Sequence, residues 1–343
     1  MIEQVKEIIR LMFGQAVYDT LVLIGWTVVP FFHKGNLHWL FIASTLAIVV
    51  AIYLTRIPRT ERASWRGLLE FAAPKRVFLH PSAILDYKFY VVNALILTRV
   101  ATWLAMLIGM LQIASGATYL LTRVLGGNEL QSEPSLTARL GFMIALAIAI
   151  DLALYVSHRL QHRIPILWEF HKVHHAPEVL TPITKYRFHP VDSVLDETGK
   201  SIAGGIVVGV YGYCYPIGIT ELTVLSMSAI TFIFFLQNHL RHSHIPLGFG
   251  WRLSHWLCSP VMHQIHHSAE ARHLDRNFSL MFSWWDALGR TLYVPRGRES
   301  FRLGLADKGQ RFDSVWSLYI GPFIALARRW GKRPNPEQSS ATR

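Results

Sequence analysis

The chain has 343 residues and a formal net charge of +12, with 51% hydrophobic and only 16% charged residues. Soluble domains carry roughly 25% charged residues, so a soluble globular enzyme is not the leading reading. The cations sit mostly in loops between long apolar runs, which argues against nucleic-acid binding and for the cytoplasmic loops of a membrane protein. Two cysteines, Cys214 and Cys258, exclude a disulfide framework or a cysteine-rich zinc module, and both are expected to pack as small hydrophobes.

In chain order, Lys6 and Arg10 precede an apolar run from about Ala16 to Phe32, read as a retained first span. The polar turn His33-Lys34-Gly35-Asn36 leads into a second run, Leu37 to Leu54. Each run is near the ~20 residues that a bilayer core requires. A basic segment with Arg56, Arg59, Arg62, Arg66, Lys75 and Arg76 follows and is cytoplasmic by the charge rule, with a short interfacial helix over Trp65 to Phe71. The stretch from Phe89 to Leu121 exceeds one straight span, so it tilts or includes an interfacial piece. Gly126 to Leu136 carries Glu129 and Glu133 without cations and is placed outside; a fourth span returns from about Ala138 to Val156. Ile202 to Tyr215 and Leu222 to Leu236, separated by Pro216-Ile217-Gly218, read as a hairpin that dips into or crosses the bilayer and comes back. Ser314 to Ala327 reads as an amphipathic helix on the membrane, and Arg328 to Arg343 as a basic, frayed end.

Histidine concentrates the chemistry. Of 17 histidines, all but His33, His38 and His80 lie between His158 and His273. His158 and His162 form an HxxxH pair; His171, His174 and His175, and His263, His266 and His267, form two HxxHH boxes. Positions i, i+3 and i+4 share a helical face, so each box is expected to aim three imidazoles at one point. His189, a loop residue because Pro190 follows it, is a further candidate ligand. Among His239, His242 and His244, His242 is favoured, because all three cannot easily face one ion. Asp151 lies seven residues before His158, inside a span, where an acid is costly and usually functional; it is expected to accept a proton from a ligand's second nitrogen. Nitrogen-only ligation suits Zn, Fe, Cu or Ni. One zinc takes three or four ligands, so ten candidate histidines point to two ions. A shared site requires the Ile202 to Leu236 hairpin to return both boxes to one side.

This order of boxes resembles the fatty acid hydroxylase / sterol desaturase superfamily of integral-membrane di-iron enzymes. The resemblance is carried by His158/His162, His171/His174/His175, His242 and His263/His266/His267. His189-Pro190 and the tail from Asn277-Phe278 through Trp284-Trp285-Asp286 to Gly289-Arg290-Thr291 look like the family as well, and the likeness covers roughly residues 140–295. It implies two Fe ions with O2 as co-substrate, and an oxidoreductase that hydroxylates or desaturates a lipid drawn from the bilayer. Asn238 and Asp286 join Asp151 as candidate catalytic residues, and Trp284, Trp285 and Asp286 are expected to order the box helices. No Rossmann glycine fingerprint, flavin motif or haem motif is present, so electrons come from a separate ferredoxin or cytochrome with its reductase, whose acidic face suits a basic cytoplasmic surface.

The expected fold is thus all-α: a multi-pass membrane helical bundle with a cytoplasmic histidine-rich helical cap holding a dimetal site. Residues 1–137 form the N-terminal transmembrane region, 138–295 the catalytic domain and 296–343 a cytoplasmic or interfacial tail. Rival readings are a desaturase or sterol methyl oxidase of the same family, a zinc-dependent membrane hydrolase or isomerase, and a metal-binding scaffold or transporter. Ser340-Ala341-Thr342-Arg343 shows no ER-retrieval signal, which favours a bacterial cytoplasmic membrane over the ER.

Overall fold

A computed structural model describes residues 39–57, 64–107, 109–127, 133–216, 234, 236–306 and 312–331. The expected first span, Ala16 to Phe32, most of Leu222 to Leu236 and the tail beyond residue 331 lie outside the described residues.

The described residues form helices and loops, with strand pairing confined to two isolated bridges, Leu257 with Phe282 and Ser268 with Leu303. The N-terminal part contains α1 (Trp39–Arg56), α2 (Trp65–Ala72), α3 (Lys75–Phe78), α4 (Pro81–Leu107) and α5 (Met110–Leu125). Next come α6 (Leu136–Arg163), α7 (Pro165–His175) and α8 (Pro190–Cys214). Three short helices, α9 (Gly250–Ser254), α10 (Pro260–His266) and α11 (Trp284–Leu288), precede α12 (Val315–Gly331).

Local chemistry sets these boundaries. Ser64 and Ser135 cap α2 and α6, each accepting the amide three residues on at 3.2 Å. Prolines open α7, α8 and α10, where a missing N–H costs nothing and the fixed φ is already helical. Both box helices therefore start at a proline and carry their histidines toward the C-terminal end. The run from Phe89 to Leu121, read as one stretch, is divided between α4 and α5. Gly109 stands at the start of α5 in an extended conformation (φ −76°, ψ 155°), and glycine is a poor helix former. The helix expected from Ile202 begins earlier, at Pro190, because the His189 ring caps it: Nδ1 accepts from Val191 N–H at 3.2 Å.

Helix α6 is long and apolar enough to cross a membrane, and Phe41–Arg56 of α1 is a shorter apolar helix. Helix α8 packs closely on α5 and α6. A Cβ at Gly205 would lie 2.6 Å from Ile113 Cβ, and one at Gly209 would lie 2.5 Å from the Ala114 carbonyl oxygen. This Gly205-xxx-Gly209 stripe lets two backbones touch, as small-residue stripes do between membrane helices. Phe142 stacks on Tyr211 (4.1 Å between ring centroids) in the core they share with Ala114, Leu146 and Val208. Elsewhere Leu318 of α12 is buried with Phe89 and Val173, and α1 packs Val49 and Ile52 on Leu240 and Ile245. These contacts bring the end of α6, helix α7, the 236–246 loop and α10 to one place.

Candidate metal centre

Nine histidines converge there in two groups. His158 and His162 of α6, His171 and His175 of α7 and His266 of α10 form one; His174 of α7, His242, His263 of α10 and His267 form the other. Within each group the available ring nitrogens all lie within 4.8 Å of one another. The expectation that a box aims three imidazoles at one point is corrected: each HxxHH box divides two and one. At 3.6 residues per turn, i and i+4 stand roughly 40° apart, whereas i+3 lies roughly 60° to the other side of i. The i and i+4 rings serve one group and the i+3 ring the other. His171 and His175 join the first group and His174 the second; His263 and His267 join the second and His266 the first.

In the second group His242 Nε2 lies 3.2 Å from His174 Nε2, 3.0 Å from His263 Nε2 and 3.1 Å from His267 Nε2, and His263 and His267 stand 3.3 Å apart. One ring nitrogen carries at most one proton, so these contacts cannot all be hydrogen bonds. Two nitrogens about 2.1 Å from a shared ion at tetrahedral or octahedral angles stand roughly 3.0–3.4 Å apart, which is the spacing observed. In the first group His162 Nε2 and His175 Nε2 are 3.1 Å apart, and Nε2 of His158, His171 and His266 is buried with no hydrogen-bond partner. Burial, then neighbouring imidazoles, push His171, His174, His175, His242, His263 and His266 well below the ordinary histidine range. Burial and the charge of His158 bring His267 down to about 3. At neutral pH these rings are neutral, as metal ligation requires. The donor set fits a pair of metal ions.

Outer partners differ between the groups. His158 Nδ1 donates to the Phe278 carbonyl at 2.8 Å and His266 Nδ1 to the Arg276 carbonyl at 2.7 Å. A carbonyl only accepts, so each Nδ1 carries the proton and leaves Nε2 as the ligand atom. His162 Nδ1 stands 3.7 Å from Asp275 Oδ1, and His171 Nδ1 stands 3.8 Å from Asp192 Oδ2. In the second group Nδ1 of His174, His242, His263 and His267 is buried without a hydrogen bond, and the His174 ring stacks on Phe188 (4.0 Å between centroids).

A tightly held loop supplies the Phe278 carbonyl. Asp286 accepts the Phe278 and Ser279 amides at 2.9 and 2.8 Å and the Thr291 hydroxyl at 2.6 Å. Asp151 accepts the Met281 and Phe282 amides at 2.8 and 2.9 Å and the Trp285 indole N–H at 3.1 Å. The expectation that Asp151 accepts from a ligand histidine is therefore corrected: seven residues along a helix is about 10 Å, and its oxygens are taken by this loop. Arg241, buried, donates to the Leu280 and Ser279 carbonyls and to Cys258 Sγ. Cys258 packs in the interior as expected, its thiol pushed up to about 11 by burial. Asp275 and Asn277 adopt left-handed φ of 57° and 58°, which Asp and Asn tolerate best among non-glycine residues. Between them Arg276 turns its carbonyl toward His266.

Other expected positions stand apart. His189, taken as a ligand, belongs to neither group: its Nδ1 caps α8 and its Nε2 meets the Tyr319 carbonyl at 3.1 Å. Asn238 is buried, with its Nδ2 making no hydrogen bond, and it touches neither group through one. The histidines near the boxes but outside their pattern, His239, His244, His255 and His273, have other partners. Thr45 faces His239, the Phe71 carbonyl His244, the Trp251 carbonyl His255, and Ser268 with Glu299 face His273. That leaves His242 in the second group, as favoured from the sequence. Sequence reasoning missed Asp192, Asp275 and a buried ion pair, Arg187 to Asp86 (2.7 Å), in which Arg187 Nε also holds the Val173 carbonyl between His171 and His174.

Among the described residues, helices bring together two histidine groups built from divided HxxHH boxes, the arrangement of a candidate helical dimetal site. Residues 143–291 match the family described as fatty acid hydroxylase. It is 28% identical over 198 residues to the ornithine lipid hydroxylase OlsE of Rhizobium tropici, covering 57% of this chain and 55% of that protein. It is 23% identical over 158 residues to the lathosterol oxidase of Homo sapiens, covering 46% of each. It is 23% identical over 166 residues to the alkylglycerol monooxygenase of Caenorhabditis elegans, covering 48% of this chain and 30% of that protein. The chain thus spans about half the length of the first relatives it matches. No solved structure matches it.

Proposed function

We propose that this chain is a membrane-bound, O2-dependent oxidoreductase that hydroxylates a C–H bond of a lipid. The observation that carries this reading is the division of nine histidines into two nitrogen-only groups within a segment that matches the fatty acid hydroxylase family. The proposed cofactors are two iron ions, one per group, which when bound supply the reduction of O2 to an oxidant able to take hydrogen from an unactivated carbon.

The chain's own residues hold, orient and shield. The Phe278 and Arg276 carbonyls fix His158 and His266 with Nε2 presented as ligand atom. Asp286, Asp151 and Arg241 secure the loop that carries Phe278. The Phe278 ring packs on His158, His162 and His266, with centroids 5.5, 5.0 and 5.6 Å apart, and covers the first group with an apolar side chain. Converting R–H and O2 into R–OH and H2O consumes two electrons and two protons, which a ferredoxin- or cytochrome-type donor with its reductase would deliver.

Membrane placement is part of the proposal. Leu136, Leu140, Ile144, Leu152 and Val156 of α6, Ile42, Leu46, Val50 and Leu54 of α1, and Ile202, Ile206 and Val210 of α8 are exposed along helical stripes. Contiguous exposed apolar surface of this extent needs a nonaqueous neighbour, and lipid supplies it for a multi-pass bundle with the histidine cap on the cytoplasmic side. A bacterial cytoplasmic membrane is the favoured location, and 138–295 the catalytic unit. The match to lathosterol oxidases supports a second reading, oxidation of a sterol.

The test is anaerobic purification with metal analysis, followed by turnover of membrane lipids under labelled O2. Two irons per chain and label in a hydroxylated lipid are expected. One zinc with O2-independent turnover would overturn the reading in favour of a hydrolase or isomerase.

A further inference from the structure

Beside the metal centre lies an open cleft of about 1400 Å3. Val261 and Gln264 of α10 form part of its wall, while His263 and His266 of the same helix belong to the metal groups. None of the nine metal-group histidines lines it, so one helix separates a molecule bound there from the reacting centre. The cleft is therefore not the place where a substrate carbon is oxidised.

Its chemistry is two-sided. Ile52, Tyr53, Phe71, Ile245 and Leu303 give it an apolar floor, and Arg56, Arg76, Arg296 and Arg298, all exposed, stand around it. Arg56 Nη1 donates to the Pro246 carbonyl at 2.9 Å, and the Arg296 guanidinium stands 5.2 Å over the Trp251 ring. Two acids share the cleft. Glu299 is already committed to Tyr293, Arg272 and His273, and Glu70 is exposed. The cleft therefore keeps a net positive lining.

Its position is equally informative. The exposed apolar stripe of α1, Ile42 to Leu54, ends at Arg56, where the cleft begins. Helix α2, on another wall, exposes Trp65 and Leu69. An apolar stripe that stops at an arginine, beside a packed helix that exposes a tryptophan, marks the headgroup level of a membrane. A guanidinium rim selects phosphate, an apolar floor selects an amphiphile over a bare ion, and concavity suits a small molecule better than a protein face.

We propose that this cleft is a binding site for an anionic phospholipid that is not the substrate, with its phosphate held by Arg296, Arg298, Arg56 and Arg76. The proposal rests on the membrane placement argued above. Gln264 gives the site a physical link to the metals: its amide joins the Leu240 and Ile245 carbonyls at 2.8 and 2.9 Å, one residue from His263.

The experiment titrates the full, metal-loaded chain in detergent with dioctanoyl phosphatidylglycerol, dioctanoyl phosphatidylcholine and inorganic phosphate, read by native mass spectrometry. Saturable phosphatidylglycerol binding is expected, weakened roughly fivefold in each of Arg296→Ala and Arg298→Ala, with metal content unchanged. Equal affinity for phosphatidylcholine, equal affinity for phosphate, or no effect of either substitution overturns the proposal. Variants that keep lipid affinity but lose turnover driven by an acidic ferredoxin also overturn it, making the cleft a protein-docking surface. Carbonate extraction separates the premise from the proposal: release of the chain from membranes defeats both, whereas retention without phosphatidylglycerol binding defeats the lipid site alone.

Discussion

His158 Nδ1 donates to the Phe278 carbonyl at 2.8 Å, joining residues 120 positions apart in the chain. The bond fixes Nε2 as the nitrogen of His158 that faces the other histidines of its group. It depends on Asp286, which takes the Phe278 and Ser279 amides. Asp286 is thus a positioning residue for a ligand it does not touch.

Asp286→Ala should lower metal affinity of the first group about 10- to 100-fold, the usual cost of losing a partner that orients a ligand. Asp286→Asn keeps one acceptor oxygen and should recover part of the loss. Metal content after equilibrium dialysis against a buffered chelator checks this; equal retention in wild type and Asp286→Ala contradicts it.

The groups should also release metal unequally. The first has five histidines, two of them hydrogen-bonded to carbonyls, whereas the second has four and none of its Nδ1 atoms has a hydrogen-bond partner. Stepwise chelation should therefore show two phases, with the first ion lost from the second group. Cobalt-substituted protein reports each loss through its absorption, and a single phase removing both ions together counts against the asymmetry.

Much of this centre was legible in the sequence because the HxxHH spacing is local and helical. The division of each box between two histidine groups was not, since it depends on where α6 and the 236–246 loop stand relative to α7 and α10. The roles of Asp192, Asp275 and the Phe278 carbonyl were hidden for the same reason: each reaches a histidine from another segment. His189 misled because a histidine before a proline suits a helix cap as well as a ligand. Gly205-xxx-Gly209 was in plain view and names the face on which α8 meets α5.

That face gives a packing prediction. Gly209→Leu would force a side chain into the Ala114 backbone, where even a Cβ lies 2.5 Å from a carbonyl oxygen. Overpacking of this kind costs about 1–3 kcal/mol or more. A lower thermal midpoint in detergent is expected, whereas Gly116→Ala, where a Cβ meets nothing within 4 Å, should hold it or raise it slightly, since alanine favours the helix. Equal midpoints for the two variants would contradict the packing.

The metal-free protein should lose stability as pH falls. The box histidines outside α6 titrate below the ordinary value of about 6.5 when folded, His267 near 3. Above that value both folded and unfolded chains leave them neutral, and there is no cost. Below it the unfolded chain takes up protons that the folded chain refuses, so folding weakens by up to about 1.4 kcal/mol per pH unit for each such histidine. Denaturant midpoints at pH 7.5, 6.5 and 5.5 check this, with a steep fall between the last two expected and a flat profile contradicting it.

The most direct test uses two adjacent residues that the fold sends to different histidine groups. His174 belongs to the second group and His175 to the first. Metal counting on anaerobically purified wild type, His174→Ala and His175→Ala should give two ions, then one in each variant, with distinct spectra for the ion that remains. One ion per chain in the wild type, or the same ion lost in both variants, would contradict the divided-box centre.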